Sequence, residues 1–206
     1  MIGSSRVSSR LALAAACAIV LQGCALLRPG AADPPRLFML EATFDAAPAG
    51  AAPVQTLIVP PPTARPGFDG PRIVYVTRAY ELQFFAQSEW VDTPARMLAP
   101  LLVAALEESG TFRVLQGPSG VAASIRLETE ITALQQEFAA GPSRTRFALR
   151  AQLVDAGRQR VVATRAFEAV EAAPSDDPYG GVVAANGAVA RVLRELAQWA
   201  TAQPQP

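Results

Sequence analysis

The chain has 206 residues, half of them hydrophobic and 17% charged, and its 18 basic and 18 acidic side chains cancel. That composition suits one globular domain with a proper core, and it carries no basic stripe of the kind nucleic acid requires. Histidine and lysine are both absent, which excludes Ser-His-Asp and Cys-His catalysis, His-ligated metals, Walker A loops, Schiff bases and Ser-Lys dyads.

The N-terminus reads as an export signal. Arg6 and Arg10 precede LALAAACAIVL, an apolar run over 11–21. The run is too short to span the ~30 Å of hydrocarbon in a bilayer but fits the core of a secretory signal. Leu21-Gln22-Gly23-Cys24 follows and has the form of a lipobox. Residues 1–23 are therefore expected to be a lipoprotein signal peptide, with lipid on the Cys24 thiol. Cys17 leaves with the signal, so the mature domain has no cysteine pair for a disulfide. Ala25, not Asp, follows Cys24, which by the enterobacterial sorting rule favours the outer membrane; inner-membrane anchoring is left open.

Residues 24–35 read as a lipidated, Pro-rich tether, and 36–202 as the folded domain. Leu37 to Leu40 and Leu57 to Val59 are apolar runs expected to be buried strands. The Ala/Pro/Gly-rich stretches 42–54 and 60–71 read as loops. Arg72 to Phe85 reads as a hairpin, with Tyr80, Leu82 and Phe84 alternating against Glu81 and Gln83. Asp92 or Thr93 can cap a helix with Pro94 in its first turn and Gly110 at its end. Met97, Leu98, Leu101, Leu102, Ala105 and Leu106 form its apolar stripe.

After a short strand at Phe112–Leu115, three longer strands alternate apolar and polar residues: 124–133, 144–155 and 160–170. Asp155 to Arg158 supplies the turn between the last two. A second helix spans about 178–202, with Val182, Ala185, Val189, Val192, Leu193, Leu196 and Ala200 inward; 203–206 is expected to be a disordered tail. The fold class is α+β. An antiparallel-rich mixed sheet is covered on one face by two helices.

Several segments together resemble a known family: RLFMLEA at 36–42, LIVPPP at 57–62, RIVYVTRAYELQFFAQSEW at 72–90, GTFRVL at 110–115, and a final helix ending near Trp199. This series is similar to the ABC-type transport auxiliary lipoproteins. These accompany the mammalian-cell-entry (MCE) lipid-transport systems and the paraquat-inducible operon type. Phe38 stands where the family pattern has a tyrosine, and the loop after it is long. The resemblance implies a role without a reaction: a periplasm-facing docking part on the outer membrane that meets an MCE protein, with ATPase and permease on separate chains. It implies no cofactor.

Candidate sites follow. Tyr75, Tyr80, Phe84, Phe85 and Trp90 concentrate aromatics in sixteen residues. Tyr80, Leu82 and Phe84 share a face and are read as core, while Phe85 and Trp90 are the candidate partner-binding residues. Arg126, Glu128 and Glu130 are expected across from Arg146 and Arg150 as ion pairs on a solvated face, rather than as acid–base catalysts. Asp176 and Asp177 are read as caps of the last helix rather than as a cation site. No metal cluster has credible spacing. The function expected is thus a non-enzymatic accessory lipoprotein that binds no nucleic acid. A ring of its own copies is one form it could take. The alternatives are an envelope carrier of lipid or a small molecule and, last, a hydrolase using carboxylates alone.

Overall fold

The computed structural model describes residues 33–45, 55–117, 125–138 and 141–203. The segment read as a signal peptide (1–23), Cys24, most of the tether and residues 204–206 lie outside them, and the described residues from Pro35 on form one compact unit. Its elements are β1 (Arg36–Phe38), β2 (Gln55–Val59), β3 (Thr63–Ala64), β4 (Arg72–Val76), β5 (Gln83–Trp90), α1 (Pro94–Glu108), β6 (Phe112–Gln116), β7 (Ile125–Glu137), β8 (Arg144–Asp155), β9 (Arg160–Ala172) and α2 (Pro178–Thr201). The fold is α+β, with a mixed nine-stranded sheet and two helices among the described residues.

The spine of the sheet is β7. Along one edge it pairs with β8 antiparallel over its whole length, and β8 in turn pairs with β9. Along the other edge three strands meet it parallel and in series: β2 at Leu57 against Ile125, β3 at Thr63 against Glu130, and β4 at Val74 against Gln135. Parallel partners β6 and β1 extend the sheet from β2 and β5. The antiparallel character expected from the alternating strands thus resides in the β7–β8–β9 ladder and the β4–β5 pair.

The alternation in β7 and β8 fixes which side is core. Ile125, Leu127, Ile131 and Leu134 are buried, as are Phe147, Leu149, Ala151 and Leu153. The intervening residues of the two strands are largely charged and half-exposed. Over the buried face α2 packs on β7, β8 and β9, and α1 packs on α2, β3 and β6. Every residue of the apolar stripe read for α2 is buried. In α1, Leu98, Leu102, Ala105 and Leu106 are fully enclosed, and Pro94 sits in the first turn, where no N–H is needed.

Asp177 caps α2: its carboxylate accepts from the Gly180 N–H at 2.7 Å and the Ser175 hydroxyl at 2.8 Å. Asp176 instead accepts from the Ser143 N–H at 2.7 Å, tying the helix entry to the start of β8. The same junction holds a buried polar knot. Gln136 donates to Ser143 Oγ (2.9 Å) and to the Asp177 carbonyl (3.2 Å), and Thr145 donates to the Gly181 carbonyl (2.8 Å).

Two expectations about strands are corrected. Leu37 to Leu40 is not a buried strand: β1 is a three-residue edge strand, Leu37 and Met39 are exposed, and only Leu40 is enclosed. Phe38 and Leu40 alternate toward the core, which leaves Leu37 and Met39 on the opposite, solvent-facing side of this edge segment. The loop over 60–71 also does more than connect. It contributes β3 and buries Phe68.

Candidate docking surface

The aromatic-rich hairpin is built differently from its alternation. β5 begins at Gln83, not Tyr80, so the reading of Tyr80, Leu82 and Phe84 as one core face is overturned. Tyr80 has φ +69°, a left-handed backbone that breaks the two-residue period, and its side chain is wholly exposed. Leu82 is 41% exposed and lies on Gly67, where an added Cβ would come within 2.9 Å of Leu82 Cδ1. The turn is held by its own polar groups. Arg78 Nε donates to Glu81 (3.0 Å), and the Gln83 amide donates to Thr77 Oγ1 (3.1 Å) and to Glu81 (2.9 Å).

Behind that tip stands an aromatic cluster. Tyr75 and Phe85 lie with ring centroids 4.5 Å apart and tilted by 32°, and Phe138 meets Tyr75 edge-on at 5.9 Å. These are favourable aromatic geometries. Phe138 is held there because its N–H donates to the Val76 carbonyl at 2.8 Å, continuing the β4–β7 pairing. Phe84 turns elsewhere and is covered by Arg72, whose guanidinium carbon is 3.6 Å from the ring centre.

Trp90, paired with Phe38 across β1 and β5, is 3% exposed in the main core. The two residues singled out as partner-binding are therefore separated by the fold. Phe85 is half-buried under the hairpin tip, and Trp90 is a core side chain with no surface to offer. The residue that the sequence reasoning missed is Tyr80, and only its backbone conformation reveals it.

The open face of the β7–β8–β9 ladder carries a chain of ion pairs. Arg144 and Arg146 both bond Glu137 (3.0 and 2.7 Å), Arg146 also bonds Glu168, Arg126 bonds Glu128 (2.9 Å) and Arg65 approaches Glu130 (3.8 Å). Partial burial pushes the Glu137 carboxyl up. The hydrogen bonds from Arg146, Gln135 and Arg144 outweigh it and hold the group below its usual range. The Glu137 bond raises the Arg146 guanidinium further above its ordinary value. A general acid needs the opposite shift, toward a retained proton, so this network is suited to fixing strands rather than moving protons. The register differs in one respect from expectation: Arg150 stands opposite Glu130, which carries Arg146 four residues further along β7, beyond the acidic pair, and the one-residue irregularity between Ile131 and Ala133 sets it opposite Gln135. A polar groove of about 200 Å³ opens between Thr63, Glu128, Glu130, Arg150 and Gln152. Among the described residues no three acidic, cysteine or histidine side chains cluster as a metal site would require.

The family model for the ABC-type transport auxiliary lipoprotein component matches residues 38–197, which take in the whole β-sheet beyond β1 and nearly all of both helices. The chain belongs to that family. This auxiliary lipoprotein is similar in structure to a Xanthomonas campestris protein, with 27% identity, a TM-score of 0.68, and 79% of this chain and 94% of the other covered. An uncharacterized protein shares the fold at 17% identity and a TM-score of 0.65, covering 82% and 99% of the two chains. A hypothetical protein from Chlamydia trachomatis does so at 9% identity and a TM-score of 0.50, covering 71% and 95%. No curated protein matches the chain. Among the described residues of the auxiliary lipoprotein, no helix is long and apolar enough to cross a membrane.

Proposed function

We propose that this auxiliary lipoprotein is a non-enzymatic docking component of an MCE-type lipid transport system. Lipid on Cys24 anchors it to the periplasmic face of the outer membrane, and it meets an MCE-domain protein there. The family assignment supports the transport role, and the lipobox supports the anchor. The docking surface is the β4–β5 hairpin tip: Tyr80 and Leu82 in front, Phe85 and Tyr75 behind.

Tyr80 carries this reading. A left-handed backbone costs a bulky residue roughly 1 kcal/mol or more, and glycine or asparagine would relieve that cost. A fully exposed aromatic ring gains nothing from the core to offset it. An aromatic side chain at such a position is explained by what it touches outside the molecule, and exposed tyrosines are common anchors of interfaces.

The test is a pull-down of tagged mature protein from gently solubilised membranes, with mass spectrometry of what accompanies it. Recovery of an MCE-domain protein, reduced by Tyr80→Ser with Leu82→Ser, is the expected result. Recovery of the protein alone, carrying phospholipid, would overturn docking in favour of a lipid carrier. The core cavity beneath the helices, beside Val74, Trp90 and Gly181, measures about 10 Å³, against the several hundred Å³ that a lipid-sized ligand requires.

A further inference from the structure

Among the described residues β1, β3, β6 and β9 each pair with a single neighbour. The first three are two to five residues long, and β9 runs for thirteen. All of its ladder goes to β8, and among the described residues no backbone group meets its outer edge. Such an edge presents a row of N–H and C=O groups ready to pair with another strand. Its sequence, RVVATRAFEAVEA, lacks the proline and lysine that commonly guard an edge. A bulge interrupts the ladder near its start, and from Ala163 to Ala172 the register is unbroken.

The charges on that regular stretch are sorted. Arg165 stands in its first half, Glu168 and Glu171 in its second. Arg165 lies opposite the buried Ala151 and so on the helix-covered side of the strand, yet it is exposed. It has no ion pair among the described residues, and its guanidinium carbon is 4.8 Å from the centre of the Phe167 ring. Phe167 in turn meets the half-buried Trp199 edge-on at 5.6 Å. An inward charge at an edge opposes pairing with an arbitrary apolar strand. It suits a strand that brings an acid to meet it, and Glu171, on the same face as Arg165, is such an acid in a second copy of β9.

We propose that two copies of the chain pair β9 to β9, antiparallel about a two-fold axis at Phe167, and so join their sheets. Antiparallel pairing lays the arginine half of each strand along the glutamate half of the other. An axis at Arg165 or Glu168 would set like charges opposite each other. At Phe167 the opposed pairs are Arg165 with Ala169, Ala166 with Glu168 and Thr164 with Val170, and Arg165 is diagonal to Glu171 of the second copy. An axis through a residue also keeps both helix-covered faces on one side, so the Phe167 and Trp199 rings of the two copies become neighbours. Pairing over 163–171 makes roughly eight to ten hydrogen bonds, as many as a typical interface carries. The contact is self-complementary and closes on itself. β9 lies on the other side of β7 from the β4–β5 hairpin, so the pair is independent of the docking role.

The test is thiol crosslinking of the purified mature lipoprotein with a short bismaleimide. Thr164→Cys, Ala166→Cys and Ala172→Cys place single cysteines at exposed positions on the open face of β9, and yields are read above that of the chain with no introduced cysteine. With the axis at Phe167, the two copies of position 166 stand about 8 Å apart, those of 164 about 20 Å and those of 172 about 35 Å. The expected result is a covalent dimer at 166, little at 164 and none at 172. Arg165→Glu, added to Ala166→Cys, is expected to lower the dimer yield about fivefold with the Tm of the chain retained. No dimer at any position overturns the proposal. Equal yields at all three positions overturn it too, because random collision or parallel pairing would give them. A yield that ignores Arg165→Glu overturns the charge-set register.

Discussion

Gly181→Ala separates local helix propensity from tertiary packing by the sign of its effect. Gly181 lies in the first turn of α2, and alanine in a helix interior is ordinarily worth up to about 1 kcal/mol over glycine. The structure predicts the reverse. A methyl group at Gly181 would stand 2.6 Å from Gln136 Cδ and closer still to Oε1. Gln136 is 2% exposed and cannot swing into solvent. Moving it breaks its hydrogen bonds to Ser143 and to the Asp177 carbonyl. Each bond is worth about 1 kcal/mol, and overpacking adds roughly 1–3 kcal/mol. After the propensity gain is subtracted, a net loss of about 2–4 kcal/mol remains, or a fall in Tm of roughly 4–16 °C for a domain of this size. Thermal and urea unfolding of the mature chain, followed by far-UV circular dichroism, reads it directly. Gln136→Ala removes the obstacle, so the double variant is expected to be more stable than the sum of the two single losses predicts, by at least about 1 kcal/mol of coupling. A Tm that rises in Gly181→Ala would refute the packing argument.

Tyr80→Gly relieves the left-handed backbone and is expected to leave stability unchanged or raise it by up to about 1 kcal/mol, while lowering recovery of the partner protein in the pull-down. Trp90→Ala, by contrast, opens the core and is expected to cost about 3–5 kcal/mol, measured by urea unfolding. Stability is also expected to fall in acid. Asp155 is held below its usual range by the Arg158 N–H and guanidinium, Asp176 by the Ser143 N–H, and Asp177 by the Gly180 N–H and the Ser175 hydroxyl. A carboxylate depressed in the folded state stabilises it above the ordinary range near pH 4, and the benefit drains away as pH drops through the lowered value. The Tm is therefore flat above about pH 5 and declines below it. A shallower decline in Asp176→Asn with Asp177→Asn, followed by scanning calorimetry, would assign part of the slope to the entry of α2.

Much of the architecture was legible in the residues. Local signals placed α1 and α2 within two residues of their ends, because Pro94, the Asp177 cap and the apolar stripes act within a few turns of their own helix. The clean alternation of β7 and β8 predicted which residues are buried, since a strand with one wet face must alternate. Of the charged residues read as ion pairs across the two strands, Arg126 pairs with Glu128 of its own strand, Glu130 with Arg65, and Arg146 with Glu137 and Glu168. The likeness of separate segments to a family was also carried by local sequence, and the family match over 38–197 agrees with it.

What the residues could not give is position relative to distant chain. Leu37 and Met39 are as apolar as Leu57 and Val59, yet β1 lies at an edge and β2 between β6 and β7. Burial depends on neighbours, and neighbours are set by strand order. Tyr80 and Leu82 alternate like a strand, yet the β4–β5 register shifts, and a left-handed residue at Tyr80 turns the chain before the strand starts. Trp90 and Phe85 looked alike as exposed aromatics until pairing with Phe38 put one in the core and stacking on Tyr75 left the other near the surface. The sequence by itself determined where both helices and the long strands lie, because helix hydrogen bonds are made within the segment and an apolar period can be read along it; β3 and the start of β5 depended on strand pairing with distant chain. Only the tertiary structure decided which apolar residues face solvent, because exposure is a property of the whole packing and no short stretch of chain encodes it.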